Sequence, residues 1–230
     1  MNLLEKEALI REKAEEFEHA SPETVLEWAV NAFPNIAFAC SFGAEDVVLV
    51  DMLQKIRPDT DIFYLDTDFH FRETYETRDR IAERYGIRFI QVKPELTPEE
   101  QAERHGDELW KRDPNACCNL RKVEPLSRFL AHYDAWITGI RREQAPTRAH
   151  AKKVEYDNKF GLVKFNPLAD WTWDDVWRYI RQNDVIYNPL HDQNYPSIGC
   201  SHCTRPVKPG EDLRAGRWSG TGKIECGLHQ

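Results

Sequence analysis

The sequence predicts an α/β protein, a doubly wound and mainly parallel sheet with an irregular C-terminal extension. Three observations predict it. Between residues 35 and 190, short apolar runs alternate with stretches of helical periodicity, the pattern of a sheet covered by helices on both faces. Three of the apolar runs end in polar loops, Ser41-Phe42-Gly43, Asp66-Thr67-Asp68 and Gly139-Ile140-Arg141-Arg142, and ligands of such sheets sit beyond the carboxyl ends of the strands. Past Tyr187, proline and glycine favour loops over regular elements. With 230 residues, no internal repeat and no low-complexity linker, the expected layout is a single domain over 1–230. Within it, N-terminal helices occupy 1–34, the α/β core 35–190, and a cysteine-bearing loop and tail 191–230.

Leu3 to Phe17 reads as an amphipathic helix, with Leu4, Ala8 and Phe17 on or near one face. Ser21-Pro22, a capping residue followed by proline at the first helical position, opens a second helix running to Val30. Asn35 to Cys40 is a buried strand, followed by the turn Ser41 to Asp46 and a helix over Val47 to Ile56. Asp61 to Leu65 forms the second strand, and a helix from about Glu73 to Tyr85 closes at Gly86, a C′ glycine. Ile87 to Val92 and Ala135 to Thr138 are the third and fourth strands, and Val163 to Asn166 adds another. Trp171 to Gln182 is a helix capped by Asp170, whose Trp171, Trp173 and Trp177 pack the helix and do not stack on a base.

Net charge of −8 disfavours nonspecific binding to polymeric nucleic acid, which needs a basic surface. No apolar run reaches the roughly 18–20 residues that span a bilayer, and the charged, helix-patterned N-terminus is not a secretory signal. The cytoplasm is the expected location, where six cysteines serve as thiols or metal ligands sooner than as a disulfide framework. Basic residues gather at Arg121-Lys122, from Arg141 to Lys153, and at Arg205, Lys208, Arg214, Arg217 and Lys223. Such clusters beside cysteines and strand ends suit a compact anionic ligand.

The cysteines carry the most chemistry. Cys117-Cys118 and the Cys-x-x-Cys of Cys200 and Cys203 make two short-spaced pairs, a ligand set for an iron–sulfur cluster or a tetrahedral zinc. Consecutive side chains of a strand diverge, so the backbone at 117–118 must be helical or turned, as Asp113-Pro114-Asn115 upstream permits. Cys226, alone in a glycine-rich tail, is placed to act as a nucleophile. Cys40 ends an apolar strand and reads as a small core residue, and His105 and His132 lack ligand spacing. Cluster and tail nucleophile together point to redox chemistry on a bound ligand.

These features resemble the assimilatory adenylyl-sulfate and phosphoadenylyl-sulfate reductases, the sulfonucleotide reductases. The resemblance rests on Ser41 to Asp46, Leu65 to Phe71, Cys117 to Pro125, Thr138 to Gln144, Asn166-Pro167-Leu168, Tyr195 to Cys200 and Glu225-Cys226-Gly227-Leu228-His229, in that order along most of the chain. It implies an adenine-nucleotide α-hydrolase-like sheet. ATP-cleaving relatives carry Ser-Gly-Gly-x-Asp-Ser at the first loop. Here Asp46 replaces the last serine, where its carboxylate would repel a pyrophosphate.

The resemblance further implies thioredoxin-dependent reduction of adenylyl sulfate to sulfite and AMP. Cys226 would attack the sulfur and carry an S-sulfo adduct. Thioredoxin or glutaredoxin, expected as a separate protein because no redoxin-like stretch follows Cys226, would then release sulfite. Cys117, Cys118, Cys200 and Cys203 would hold one [4Fe–4S] cluster, with Lys122 one helical turn after Cys118. Ser41, Phe42, Gly43, Leu65, Asp66, Thr67 and Gly139 would line the nucleotide. Lys122, Arg148, Arg214 and Arg217 would grip the phosphosulfate or hold the tail over it, and Gly220, Gly222 and Gly227 would let the tail open and close. His229 has two readings, a partner of the thiolate or substrate and a solvated terminal residue. Possession of all four cluster cysteines selects adenylyl sulfate, with phosphoadenylyl sulfate, used alone or as well, the nearest alternative. Structural zinc, a metal- and nucleotide-binding regulator without catalysis, and an ATP pyrophosphatase of the tRNA-thiolating kind are the rivals. A homo-oligomer is compatible with all of them.

Overall fold

A computed structural model describes residues 3–228. Its helices and strands in chain order are α1 (Leu3–Glu16), α2 (Pro22–Ala32), β1 (Ile36–Ala39), α3 (Ala44–Ile56), β2 (Asp61–Leu65), α4 (Arg72–Tyr85), β3 (Ile90–Val92), α5 (Pro98–His105), α6 (Leu109–Arg112), α7 (Pro114–Cys118), α8 (Glu124–Leu130), β4 (Ala135–Ile137), β5 (Val154–Asp157), β6 (Leu162–Phe165) and α9 (Trp173–Gln182). The six strands form one sheet in the order β3-β2-β1-β4-β6-β5. β1 runs parallel to β2 and β4, β4 runs parallel to β6, and β5 closes the edge antiparallel to β6. The mainly parallel, doubly wound sheet is therefore present. Its chain order diverges on the two sides of the β1–β4 pair, the crevice position where open α/β sheets take ligands.

By packing, the chain divides into two compact units, Met1–Phe63 with Leu130–Tyr187 and Tyr64–Phe129 with Asn188–Gln230. In the first, α2 buries Val25, Leu26, Ala29 and Val30, and α3 buries Val47 to Leu53 almost without break, the signature of a helix inside a covered sheet. Trp28, Phe33 and Phe165 meet at ring centroid separations of 5.7–6.0 Å. The tryptophans of α9 pack as expected, Trp173 and Trp177 edge to face at 5.7 Å. In the second unit, Arg121 is buried and bonds Thr67 O, Leu96 O and the Asp68 carboxylate, tying the loop after β2 to the segment that follows α7.

Several boundaries differ from the sequence expectation. α3 begins at Ala44, three residues before Val47, with Gly43 as its cap. β3 begins at Ile90 and not Ile87, because Gly86 is left-handed at φ 65° and Ile87 N still donates to Ala82 O, so the helix end consumes those residues. α9 is capped by Thr172, which forms a capping box with Asp175, while Asp170 pairs with Lys153. Helices α5, α6 and α8 and strand β5, all short, had no expected counterpart, whereas α7 is the helical backbone expected at Cys117-Cys118. Beyond Tyr187 the described residues hold only short 3₁₀ turns, at Pro189–Gln193 and Ser201–Cys203. Among the described residues no helix is long and apolar enough to cross a membrane.

Candidate active site

In the first unit, the loops after β1 and β4 form one polar network. Phe42 sits at φ 61° and is buried, a left-handed conformation that an aromatic residue holds only when its surroundings enforce it. The turn points Ser41 back at the first turn of α3, where Asp46 Oδ2 accepts from Ser41 N and from Ser41 Oγ, both at 2.6 Å. Burial pushes the Asp46 carboxyl up to about 7, against the opposing pull of the Ser41 bonds. Gly139 must be glycine, since a Cβ there would collide with Asp46 Oδ1. Gln144 bridges Gly139 O (3.2 Å) to Glu45 Oε1 (2.9 Å), and it accepts from Arg148 Nη1 at 2.6 Å. Gly139 and Arg148 thus meet through Gln144, beside the Ser41–Asp46 pair and the Gly43 cap of α3.

The basic run from Arg141 to Lys153 is corrected by the structure. Arg141 is buried against Glu45 and Glu143, Arg142 pairs with Glu18, and Lys153 pairs with Asp170. These three cations are each paired with carboxylates of the same unit and are not an open anion site. Arg205 is similarly engaged with Glu211.

The second unit assembles the sulfur chemistry. Asp113 caps α7 by accepting from Ala116 N at 2.9 Å, and the helix passes through a π turn at Asn119–Val123. This winding lets the adjacent Cys117 and Cys118 face one side. Both are buried, and with Cys200 and Cys203 they line a single cavity that Lys122 and Arg217 also border. Burial, reinforced by the neighbouring thiols, pushes Cys117 up to about 12 and Cys203 up to about 11, and burial raises Cys118. Burial works against a charged Lys122, but the Cys200, Cys226 and Cys118 thiols around it prevail and hold its ammonium above the usual lysine range. Among the described residues no three His, Cys, Asp or Glu side chains close on a single metal-ion position; the four thiols stand around the cavity.

The donor set fits an iron–sulfur cluster. All four candidate donors are soft sulfur, and neutral groups meet two of them: Gln101 Nε2 donates to Cys117 Sγ at 3.9 Å, and Thr67 Oγ1 shares a hydrogen bond with Cys200 Sγ at 3.4 Å. A bound metal would displace the protons that burial otherwise keeps on these thiols. Cys40 lies apart, a buried thiol at the end of β1 whose proton burial holds well above the usual range.

The tail folds onto this cavity. Cys226 is buried and packs with Cys118 and Trp218, with Cys203 and Leu228 against the same cluster. Arg214 Nη2 reaches Ile224 O (3.1 Å) and Glu225 Oε2 (3.3 Å), holding the tail just before Cys226. Arg217 donates to Ser197 Oγ (3.1 Å) and Ile198 O (3.3 Å), and a side chain at Gly199 would strike its guanidinium. Sequence reasoning missed Trp218. Its buried ring has Arg217, Lys223 and Arg214 at 4.5, 5.6 and 5.9 Å from its centroid, so it gathers the tail's cations on one surface. The only sequence signal was its place beside Arg217. Asp66 and Thr67 are buried: Asp66 accepts from Tyr75, Asp68 N and Gln91, bonds that outweigh burial and lower its pKa, and Leu65 O meets His70 Nε2 at 2.8 Å. His229 lies outside the described residues.

A phosphoadenosine phosphosulfate reductase domain matches residues 35–206, which covers both loop networks and all four cavity cysteines. The chain belongs to the phosphoadenosine phosphosulfate reductase family. Among its relatives, the adenosine 5′-phosphosulfate reductase of Halalkalibacterium halodurans is 53% identical over 223 residues, 96% of each chain. Adenosine 5′-phosphosulfate reductase 1 of Bacillus subtilis is 54% identical over 209 residues, 90% of each. The crystal structure of phosphoadenylyl-sulfate reductase from Candida auris, a phosphate complex, superposes with a TM-score of 0.77 at 36% identity, covering 85% of this chain and 96% of that one. An FMN adenylyltransferase from Candida glabrata shares the fold alone, with a TM-score of 0.60 at 15% identity over 90% of this chain and 76% of that one.

Proposed function

We propose that this member of the family reduces adenosine 5′-phosphosulfate to sulfite and AMP. The observation that carries the reading is Cys226, a tail thiol packed beside Cys118 and Cys203 and followed through Arg214 and Glu225 to a cationic surface on Trp218. The thiolate attacks the sulfate sulfur, the bond from sulfur to the bridging oxygen breaks, and AMP leaves with the electron pair. Cys226 then carries an S-sulfo group. A thiolate of a dithiol protein of the thioredoxin or glutaredoxin class attacks Cys226 Sγ, sulfite leaves with the bond's electron pair, and the second thiol of the donor resolves the mixed disulfide. The donor is oxidised by two electrons and Cys226 returns to a thiol.

Positive charge must screen the thiolate from its anionic target. Lys122, Arg214 and Arg217 supply it around the tail thiol of the second unit, where Leu65, Asp66 and Thr67 are further candidates for the nucleotide. In the first unit the candidates are Arg148, Ser41, Phe42, Gly43 and Gly139. Cys117, Cys118, Cys200 and Cys203 would hold one [4Fe–4S] cluster, which would supply a fixed, polarisable charge to the cavity that Lys122 borders. Reduced thiols and a dithiol donor suit the reducing cytoplasm.

The test is sulfite release from adenosine 5′-phosphosulfate and from its 3′-phosphorylated form, by anaerobically purified protein with reduced thioredoxin and assayed iron and sulfide. Preference for the unphosphorylated nucleotide, abolished by Cys226→Ser with iron content unchanged, is expected. Undiminished sulfite from Cys226→Ser would sink the mechanism. Equal or reversed preference would reassign the substrate to phosphoadenylyl sulfate.

A further inference from the structure

We propose that Trp110 and His202 form the outer wall of the thiol cavity and govern how firmly its metal centre is retained. This rests on the cluster reading above but assigns a task to residues outside every cysteine position. Trp110 and His202 both line the cavity that Cys117, Cys118, Cys200 and Cys203 share. Their rings stack face to face, centroids 4.2 Å apart and planes 13° from parallel. Phe69 closes edge-on against both, at 5.2 Å from Trp110 and 4.9 Å from His202. His202 is exposed and Trp110 half-buried, so this triad stands between the sulfurs and solvent.

The wall is rigidly mounted. Arg121 lies 4.8 Å over the Phe69 ring and is itself fixed by bonds to Thr67 O, Leu96 O and Asp68. Both intervening residues of the Cys200–Cys203 loop are tied to it: Ser201 donates to Phe69 O through its backbone N (2.7 Å) and its hydroxyl (3.1 Å), and His202 joins the stack. Loss of an iron–sulfur cluster begins when oxidant, water or chelator reaches the sulfurs, or when a ligand loop swings away. An aromatic stack anchored to the loop opposes both routes, the outer-layer support that metal ligands require.

The test compares anaerobically purified wild type, His202→Ala, Trp110→Ala and Trp110→Phe. The readouts are iron and acid-labile sulfide, decay of the visible absorption band in air and under an iron chelator, and far-ultraviolet circular dichroism of the anaerobic proteins. His202→Ala and Trp110→Ala are expected to bleach roughly tenfold faster than wild type. Trp110→Phe, which keeps an aromatic face, stays near the wild-type rate, and circular dichroism is unchanged. His202→Ala is decisive because its exposed ring leaves no core cavity, even where Trp110→Ala folds poorly. Bleaching of His202→Ala at the wild-type rate would overturn the proposal and leave the cluster reading intact. Wild-type protein lacking iron and sulfide would overturn both.

Discussion

The first unit sets three of its cations against carboxylates: Arg141 with Glu45 and Glu143, Arg142 with Glu18, Lys153 with Asp170. The second unit sets Lys122 among thiols and Arg217 against neutral oxygens and an indole. A buried cation with a carboxylate is neutralised and serves to hold loops in place, while a cation set among thiols leaves its charge available to an anion. Charge clusters that look alike in sequence thus divide into scaffold and chemistry.

The thiol side of this contrast breaks most completely with Cys118→Ser. Loss of one of four sulfurs is expected to strip iron and sulfide from the purified protein and sulfite formation with it, read by metal analysis and the visible spectrum. On the scaffold side, Arg141→Met leaves Glu45 buried without its cation and is expected to cost about 3–5 kcal/mol in denaturant unfolding. Its iron per folded chain should stay at the wild-type level; iron loss would show that the two kinds of cation are not separable.

Asp46 sharpens the comparison through pH. Its folded carboxyl titrates near 7, against 3.8 for the unperturbed group, so between those values the folded state binds a proton that the unfolded state has released. Stability from this group is therefore full below about pH 4 and declines as pH rises toward 7. Asp46→Asn keeps an oxygen for both Ser41 bonds and removes the ionisation. It is expected to unfold later than wild type at pH 8, by up to about 4 kcal/mol, with the difference vanishing near pH 4. A constant difference across that range would refute the burial argument. Lys122→Met is expected to lower kcat/KM for sulfite formation about 10²-fold, near 2.7 kcal/mol, with unfolding little changed. The smallest effect belongs to the buried thiol outside the cavity: Cys40→Ala should cost about 1 kcal/mol and no iron.

The sequence by itself determined the sheet, the cysteine set and the family, because each is written in local pattern. Apolar runs such as Asp61 to Leu65 mark strands whatever surrounds them, and that strand matches residue for residue. The turn after β1, the glycine closing α4 and the helical winding at 117–118 follow from turn chemistry and caps. The tertiary structure alone decided which charges are spent. Arg141 and Lys122 look equally available in the chain, and only packing against Glu45 in one case and Cys118, Cys200 and Cys226 in the other separates them. It also decided that Trp218 collects the tail's cations and that Trp110, from a four-residue helix with no pattern to announce it, stacks on His202. Local periodicity carries information about neighbours three or four residues apart, whereas partners nearly a hundred residues apart are set by the topology that brings them together.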